Sequence, residues 1–391
     1  MRIGVVRETR SDERRVAATP ETVKKLRDKG HELLVEAGAG VASSIPDADY
    51  ASAGATVVSG DVAWGADMVL KVQRPLPKAD GHEADRLSKG AIVVSFVYPG
   101  GDDDLNRILA EKEATILAME AVPRISRAQN MDALSSMANI AGYRAVLEAA
   151  YLFPRYLPLL MTAAGRIPPA QVLVVGAGVA GLSAIATAKR LGAVVKAFDT
   201  RPAVKDQVKS VGGEFLQIEL EANAEDKGGY AKAASAEQTE KIKKLLHETG
   251  VQSDIIITTA LVGGRTAPRL IEAETVRAMK PGSVVVDLAV EGGGNCALTE
   301  RGAAIQVNGV WILGYTNLAG RMPFDASRLY ARNILNLLMH FHGKEGFKLD
   351  MNDEITGAVA LTHQGQPRVD GMKAGLPPAT LIPEKATEGG N

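Results

Sequence analysis

The sequence has a single cysteine, few aromatic residues and almost no net charge. Of its 391 residues only Cys296 is a cysteine, aromatic residues make up 4% and the formal net charge is −1. One cysteine excludes an internal disulfide and fits a reducing compartment. A net charge near zero provides no electrostatic basis for binding nucleic acid, so we expect no nucleic-acid partner.

Long apolar runs are also missing. The longest apolar stretch, residues 152–165, is interrupted by Arg155 and two prolines, whereas a membrane span needs about 18 or more apolar residues. Near the N-terminus, charged residues occupy the positions where a secretion signal has its apolar region. We therefore expect a cytoplasmic protein with no membrane span of its own.

Histidines are few, and their positions do not suggest a metal site. His340 and His342 lie two residues apart, which does not put them on one face of a helix, and no cluster of carboxylates or cysteines accompanies them. We expect no metal.

The most informative stretch is a glycine-rich motif within residues 171–200. Residues 172–175 are typical of a buried strand, and an apolar helical pattern follows. The glycines between them have the spacing G-x-G-x-x-G and are Gly176, Gly178 and Gly181. The first permits the tight turn, the second lets a pyrophosphate approach the backbone, and the third lets the helix pack close to the sheet. The N–H groups at the helix start, around Val179 and Ala180, then bind the phosphates.

A second apolar segment, residues 194–198, ends on Asp199, which lies 199 − 176 = 23 positions after Gly176. An acid at about this distance binds the ribose hydroxyls of adenosine. Because it repels a 2′-phosphate, the pattern favours NAD(H) over NADP(H). Thr200 and Arg201 follow directly and belong to the same predicted site, and the cation of Arg201 argues for caution about that preference. A purely structural glycine turn is the alternative.

The fold class follows from chain length and from the alternation of strand and helix patterns. A chain of 391 residues is too long for one ordinary core, and the alternation predicts parallel sheets covered by helices. We expect an α/β protein with two Rossmann-like doubly wound domains and a cleft between them. Residues 1–125 with about 325–380 form the first predicted domain, and residues 136–322 form the NAD(H)-binding domain. Helices at about residues 136–153 and 328–341 should cross between them.

Residues 219–237 interrupt the second predicted domain with a polar stretch rich in small residues. A long insertion without secondary structure inside a compact domain is either a functional lid or disorder. Its place after a dinucleotide half-site favours a mobile lid.

Six blocks along the chain resemble one family, and the similarity extends from residue 1 to about residue 362. The blocks are RETRSDERRVAATPETVKKL, LKVQRP, PRISRAQNMDALSS, GAGVAGLSAIATAKRLGA, TTALVGGRTAPRLI and MKPGSVVVDLAVEGGGNC. They are similar to the NAD(H)-binding component of proton-translocating nicotinamide nucleotide transhydrogenase, known as domain I or the first part of the alpha subunit. Alanine dehydrogenase shares the fold and several blocks, so individual residues must separate the two.

Two positions argue against an alanine dehydrogenase. Members of that group have a catalytic histidine after the strand written here AIVVSFVYPG and a lysine in the block LKVQRP. This sequence has Tyr98 near the first position and Gln73 at the second, although Arg15 and Lys71 remain. Oxidation of an amino acid needs an acid/base group that titrates near neutral pH, and the absent pair weighs against this activity.

The resemblance to transhydrogenase also implies site residues. The family's polar loop organises the nicotinamide, and its counterparts here are Arg124, Gln129, Asp132 and Ser135. The family's mobile loop corresponds to Gly229 and Tyr230, and Leu261 would pack on the adenosine.

The same resemblance implies the activity and the assembly. Hydride would pass directly between NAD(H) on this chain and NADP(H) on a partner subunit, coupled to proton movement through a separate membrane-spanning subunit. The chain ends at Asn391 with neither further domain, so we expect a separate subunit. It would form a homodimer and lie peripherally on the inner face of the plasma membrane. The alternatives are a soluble NAD-dependent amino-acid dehydrogenase of the alanine type and a non-catalytic NAD(H) sensor.

Overall fold

The structure, a computed structural model, describes residues 1–98, 103–218, 236–261, 266–343 and 346–368. Its strands form from short apolar segments bounded by turn residues. The strands, in chain order, are β1 (Arg2–Val5), β2 (Glu32–Glu36), β3 (Thr56–Val58), β4 (Met68–Leu70), β5 (Pro77–Lys78), β6 (Gly81–His82), β7 (Ile92–Ser95), β8 (Thr115–Ala118), β9 (Leu160–Thr162), β10 (Gly165–Ile167), β11 (Gln171–Val175), β12 (Val194–Phe198), β13 (Glu214–Phe215), β14 (Ile255–Thr258), β15 (Val284–Asp287), β16 (Ala304–Val307), β17 (Val310–Leu313), β18 (His342–Gly343), β19 (Gly346–Phe347), β20 (Ala360–His363) and β21 (Gln366–Pro367). The α-helices of the same residues are α1 (Pro20–Arg27), α2 (Asp47–Ser52), α3 (Gly60–Trp64), α4 (Asp103–Glu111), α5 (Ala133–Leu152), α6 (Val179–Arg190), α7 (Lys205–Ser210), α8 (Ala236–Gln252), α9 (Ala273–Ala278), α10 (Pro323–His340) and α11 (Glu354–Val359).

The first large sheet has the strand order β21-β20-β8-β7-β4-β1-β2-β3. Strands β8, β7, β4, β1, β2 and β3 pair in parallel, whereas β20 is antiparallel to both of its neighbours. The parallel strands repeat the doubly wound order 3-2-1-4-5-6, which reverses between β1 and β4. Strand β4 is fully buried because helices cover both faces of a parallel sheet.

The second large sheet has the order β13-β12-β11-β14-β15-β17-β16. Its first six strands are parallel and again follow 3-2-1-4-5-6, while β16 is an antiparallel edge strand. The order reverses between β11 and β14, and ligands of open α/β sheets bind beyond the carboxyl ends of the strands at such a point. The predicted fold class is confirmed: the chain is an α/β protein with two Rossmann-like parallel-rich sheets.

The long helix α5 connects the two sheets. Met137 and Ile140 in its first half pack in the core of the first sheet, and Ala145 and Ala149 in its second half pack in the core of the second. It begins at Ala133, three residues before the predicted start, because the side chain of Asp132 caps it by accepting a hydrogen bond from Ser135 N.

The second crossing helix, α10, packs back on the core of the first sheet through Tyr330, Ile334 and Leu337. It begins at Pro323 rather than at the predicted residue 328, since proline is well suited to the first turn of a helix. In the part of the chain described here, no helix combines the length and apolar character needed to cross a membrane.

Candidate functional site

A cavity of about 830 Å³ opens between the two sheets, which is a volume typical of a cofactor site. Its walls come from the 124–135 loop, from the turns after β11 and β12, and from the segment after β14. The structure brings the following predicted residues together at this cavity: Arg124, Gln129, Asp132, Ser135, Gly176, Gly178, Val179, Ala180, Asp199, Thr200, Arg201 and Leu261. Gly181 lies beneath the cavity. Residues 219–235 of the predicted lid, which include Gly229 and Tyr230, lie outside the described residues.

The glycine turn has the geometry that the sequence motif requires. Gly176 has φ 99°, a left-handed conformation that favours glycine. A Cβ atom on Gly181 would lie 1.9 Å from the carbonyl oxygen of Gly176, so only glycine allows the helix to pack this close. Helix α6 begins at Val179 with Gly178 as its N-cap, and no side chain caps that end. The N–H groups of its first turn therefore suit an anion such as a pyrophosphate.

The carboxylate of Asp199 is buried at the end of β12 and is fully engaged within the protein. It accepts hydrogen bonds from Ala177 N at 2.7 Å, from Arg201 N at 2.9 Å, and from the Arg201 guanidinium through two contacts of 2.9 Å. An ionised carboxylate offers about four lone-pair positions, and these four donors use them. A ribose hydroxyl can therefore donate to Asp199 only where it replaces one of these four donors.

The 124–135 loop forms a short 3₁₀ helix, Ser126–Met131, and then enters α5. Asp132 Oδ1 accepts from Ser135 N at 2.9 Å, and Asp132 Oδ2 accepts from Ser135 Oγ at 2.6 Å. These two side chains thus present one hydrogen-bonded unit at the cavity. Arg124 and Gln129 are exposed beside them.

The wall after β14 is held by Asn295, which the sequence analysis did not identify. This fully buried side chain donates from Nδ2 to the carbonyl oxygens of Ala260 and Pro268, both at 2.8 Å, and accepts from Ala260 N at 2.9 Å. Asn295 therefore ties together both ends of the segment that carries Leu261. Its position after three glycines was the one sequence signal that could have drawn attention to it.

The switch point of the first sheet contains buried ion pairs. Lys71 Nζ lies 2.5 Å from Glu8 and 3.5 Å from Glu83. Arg15 forms a two-pronged contact with Glu13, whose second oxygen also accepts from Gln73 Nε2 at 2.7 Å. Burial opposes ionisation of Glu13, but the charge and hydrogen bonds of Arg15, together with Gln73, lower the pKa of this carboxyl.

Tyr98 follows β7 with φ 47°, in the left-handed region. Its N–H donates to the carboxylate of Glu120, which also accepts from Val97 N at 3.0 Å. Burial raises the pKa of Glu120 to about 7, and these backbone hydrogen bonds oppose the shift. Tyr98 thus stands after β7, near the position at which the sequence would have a histidine if it were an alanine-type dehydrogenase.

Among the described residues, no three histidine, cysteine, aspartate or glutamate side chains come together as a metal site requires. The two neighbouring histidines contact different partners: His340 Nε2 lies 2.9 Å from Asp353, whereas His342 Nε2 lies 2.7 Å from His31 Nε2.

Two doubly wound sheets, with a glycine turn and a polar loop that line one cavity, define a two-domain α/β protein of the dinucleotide-binding type. The chain belongs to the alanine dehydrogenase/PNT family. The family's N-terminal domain matches residues 4–141 of this chain, and the family's C-terminal domain matches residues 145–369.

Relatives of this chain carry both family names. The chain is 48% identical over 372 residues to the first part of NAD(P) transhydrogenase subunit alpha of Rhodospirillum rubrum, covering 93% of this chain and 97% of the relative. It is 34% identical over 300 residues to "Alanine dehydrogenase" of Mycobacterium tuberculosis, covering 75% and 74%. The crystal structure of transhydrogenase from Sinorhizobium meliloti superposes with a TM-score of 0.85 at 46% identity, covering 94% of this chain and all of that one.

Proposed function

We propose that this chain is the NAD(H)-binding subunit of a proton-translocating NAD(P) transhydrogenase. It would transfer hydride directly between NAD(H) on this chain and NADP(H) on a partner subunit, coupled to proton movement through a separate membrane-spanning subunit. The observation that carries the proposal is the shared cavity, which both the 124–135 loop and the glycine turn line. The names of the transhydrogenase relatives support it.

Each wall of the cavity then has a role in binding. The first turn of α6 would bind the pyrophosphate, Asp199 the adenosine ribose, and Leu261 the adenine side. The 124–135 loop would hold the nicotinamide, with the Asp132–Ser135 unit at the carboxamide and Gln129 toward the ribose and the second nucleotide. NAD(H), when bound, supplies or takes the hydride. The chain's residues need only orient the ring and exclude water, because hydride transfer between two nicotinamides requires no proton donor.

Two side chains argue against the alternative, a soluble alanine-type dehydrogenase. Gln73 donates to Glu13 at 2.7 Å, and an amide in this place neither carries charge nor transfers a proton. Tyr98 stands near the expected histidine position, so the imidazole that would serve as the acid/base group is absent there. The cations Arg15 and Lys71 contact carboxylates of the same chain.

We also propose that the chain forms a homodimer through the end of α5 and the hairpin of β9 and β10. Large apolar side chains in this region are exposed to solvent: Tyr151 by 86%, Tyr156 by 56% and Met161 by 68%. A second copy of the chain would cover this surface. The NADP(H) subunit would dock at the mouth of the cavity beside the 124–135 loop. The assembly would lie on the inner face of the plasma membrane through the membrane-spanning partner.

The test is to mix this chain with an NADP(H)-binding domain of a transhydrogenase and to follow reduction of NADP⁺ by NADH. Rapid transfer that requires both proteins is expected. NADH binding without transfer, together with oxidation of L-alanine by NAD⁺, would establish the amino-acid dehydrogenase instead. NADH binding without either reaction would favour the sensor.

A further inference from the structure

The 124–135 loop rests on a helix of the other end of the chain. Ala128 and Met131 point into the core of the first sheet and are buried there with Tyr330 and Ile334 of α10. The side of the loop that holds Gln129 faces the cavity. The loop therefore has one face fixed by α10 and one face directed at the nucleotide site.

Two asparagines of α10 hold the backbone of this loop. Asn333 Nδ2 and Asn336 Nδ2 donate to the same carbonyl oxygen, that of Asn130, at 3.0 and 2.9 Å. Residues three apart lie on one face of a helix, and a carbonyl oxygen has two lone pairs. The two side-chain amides thus occupy both lone pairs of the Asn130 carbonyl oxygen.

That peptide lies at a sensitive place in the loop. The Asn130 carbonyl follows Gln129 directly and precedes Asp132, which caps α5, by two residues. Fixing its orientation restricts the backbone torsions on either side, and so the direction of the Gln129 side chain. Neither Asn333 nor Asn336 lines the cavity, so their effect on a bound nucleotide would pass through the loop.

Stability alone does not account for an amide at position 333. Asn333 is only 6% exposed, and within the described residues its Oδ1 is buried without a hydrogen-bond partner. A buried polar atom in this state destabilises the fold. An apolar side chain would avoid that cost, but it would leave the Asn130 carbonyl with one donor fewer.

We propose that Asn333 and Asn336 are positioning residues for hydride transfer: they hold the Asn130 peptide so that Gln129 and the Asp132–Ser135 unit keep the nicotinamide in reacting geometry. This inference rests on the proposed function. Because both amides serve one oxygen, either alone keeps the loop largely in place, and their losses are not additive.

The test compares N333A, N336A, the double variant and N336D with a matched control, N106A on the exposed side of α4. Asp at position 336 keeps the size of the side chain but cannot donate. For each variant we would measure NADH affinity, the thermal midpoint, single-turnover hydride transfer to an NADP(H)-binding domain, and amide hydrogen exchange of residues 124–135. The exchange measurement does not depend on activity.

We expect the double variant to transfer hydride at least about tenfold more slowly, since displacement of a reacting group by about 1 Å can cost about 100-fold. Each single variant should lose about threefold or less. NADH affinity should stay within about twofold, and exchange of the loop should become faster. N336D should act like N336A or more strongly, and N106A should have no effect.

Unchanged exchange and transfer in the double variant would overturn the proposal. So would parallel losses of thermal midpoint, NADH affinity and transfer, because they would make the amides part of the fold only. If N333A unfolds the protein, N336D at the half-buried position decides instead, because its carboxylate repels the Asn130 carbonyl oxygen as well as removing a donor. Faster exchange of the loop and slower transfer at unchanged NADH affinity would support the proposal, and unchanged exchange and transfer would overturn it. If the unaltered chain fails to transfer hydride, the proposed function fails, and the exchange experiment still decides whether the amides hold the loop.

Discussion

The carboxylate of Asp199 illustrates how one side chain has two competing sets of partners. The motif predicts that it binds ribose hydroxyls, whereas in the structure Arg201 and Ala177 N occupy its lone pairs. The sequence distance from Gly176 predicted the acid itself. It did not predict the contact with Arg201, because two residues that are neighbours in sequence can point in many directions.

This contact leads to a prediction about nucleotide choice. The guanidinium of Arg201 neutralises Asp199 and would attract a 2′-phosphate. R201Q should therefore weaken NADPH binding about tenfold or more relative to NADH binding. A tenfold loss is what the removal of one hydrogen bond to a charged group is expected to cause. D199N should change the ratio in the opposite direction. R190Q, at the far end of α6, is the control. Equal effects of R201Q on both nucleotides would refute this assignment.

Gln129 is the side chain at the cavity for which we predict the clearest separation of binding from chemistry. Q129N removes one methylene and keeps the amide, so the group would no longer reach the place near the nicotinamide ribose that we propose for it. NADH affinity should stay within about threefold, while single-turnover hydride transfer should fall by about tenfold or more. Transfer at the original rate would show that Gln129 has no positioning role.

Glu120 predicts a pH dependence of stability. Its pKa is about 7 in the folded chain against an ordinary 4.5, so between these values the folded state binds more protons than the unfolded state. The contribution of Glu120 to the free energy of unfolding therefore falls as pH rises from about 4.5 to about 7, and the total fall is at most about 3 kcal/mol. Urea unfolding at several pH values should show that E120Q removes this loss. The exposed control E248Q should keep it, and an E120Q curve parallel to the original would contradict the assignment.

At the scale of elements, the close contact between α5 and α6 supports the proposed phosphate site. A Cβ atom on Gly142 would lie 2.0 Å from the carbonyl oxygen of Ala180 in the first turn of α6. Position 142 therefore admits only glycine at this helix separation, and the separation sets where the N–H groups of that turn lie.

We accordingly predict that G142A destabilises the chain by about 1–3 kcal/mol, as overpacking does, despite the better helix propensity of alanine. NADH affinity should fall as well, because the first turn of α6 must shift. Thermal unfolding and NADH titration check both effects. N106A, on the exposed side of α4 and away from the cavity, should change neither, and a G142A variant with unchanged NADH affinity would argue against the coupling.

The elements also show which features a sequence can reveal. Apolar strands next to glycine turns were predictable because burial and turn chemistry are local, and the apolar segment 194–198 was predicted with the observed bounds of β12. The starts of α5 and α10 were predicted too late, since the cap of Asp132 and the first-turn role of Pro323 extend each helix beyond its apolar pattern. The hairpin of β9 and β10 was missed because its mostly exposed residues carry no apolar alternation. The edge strand β16 was missed because its four residues, AIQV, are too few to show a clear alternation.

At the scale of the whole molecule, the site belongs to both sheets at once. The 124–135 loop packs on the first sheet, and the glycine turn belongs to the second. Two contacts of the segment before α10 hold this arrangement. Asn317 Nδ2 donates to Asp12 O, in the loop after β1, at 2.9 Å, and Arg321 pairs with Glu148 of α5 at 2.6 Å. Motifs in the sequence predicted each wall, but the support from Asn295, Asn333 and Asn336 depends on distant residues and became visible only in the structure.

The most direct test of hydride transfer between two nicotinamides follows a deuterium label rather than a rate. NADH deuterated at the transferred position of C4 would be mixed with this chain, an NADP(H)-binding domain of a transhydrogenase and NADP⁺. We predict that deuterium appears in NADPH, that none reaches water, and that omitting either protein stops the transfer. Deuterium released to water, or transferred only when pyruvate and ammonia replace NADP⁺, would contradict direct transfer between two nicotinamides.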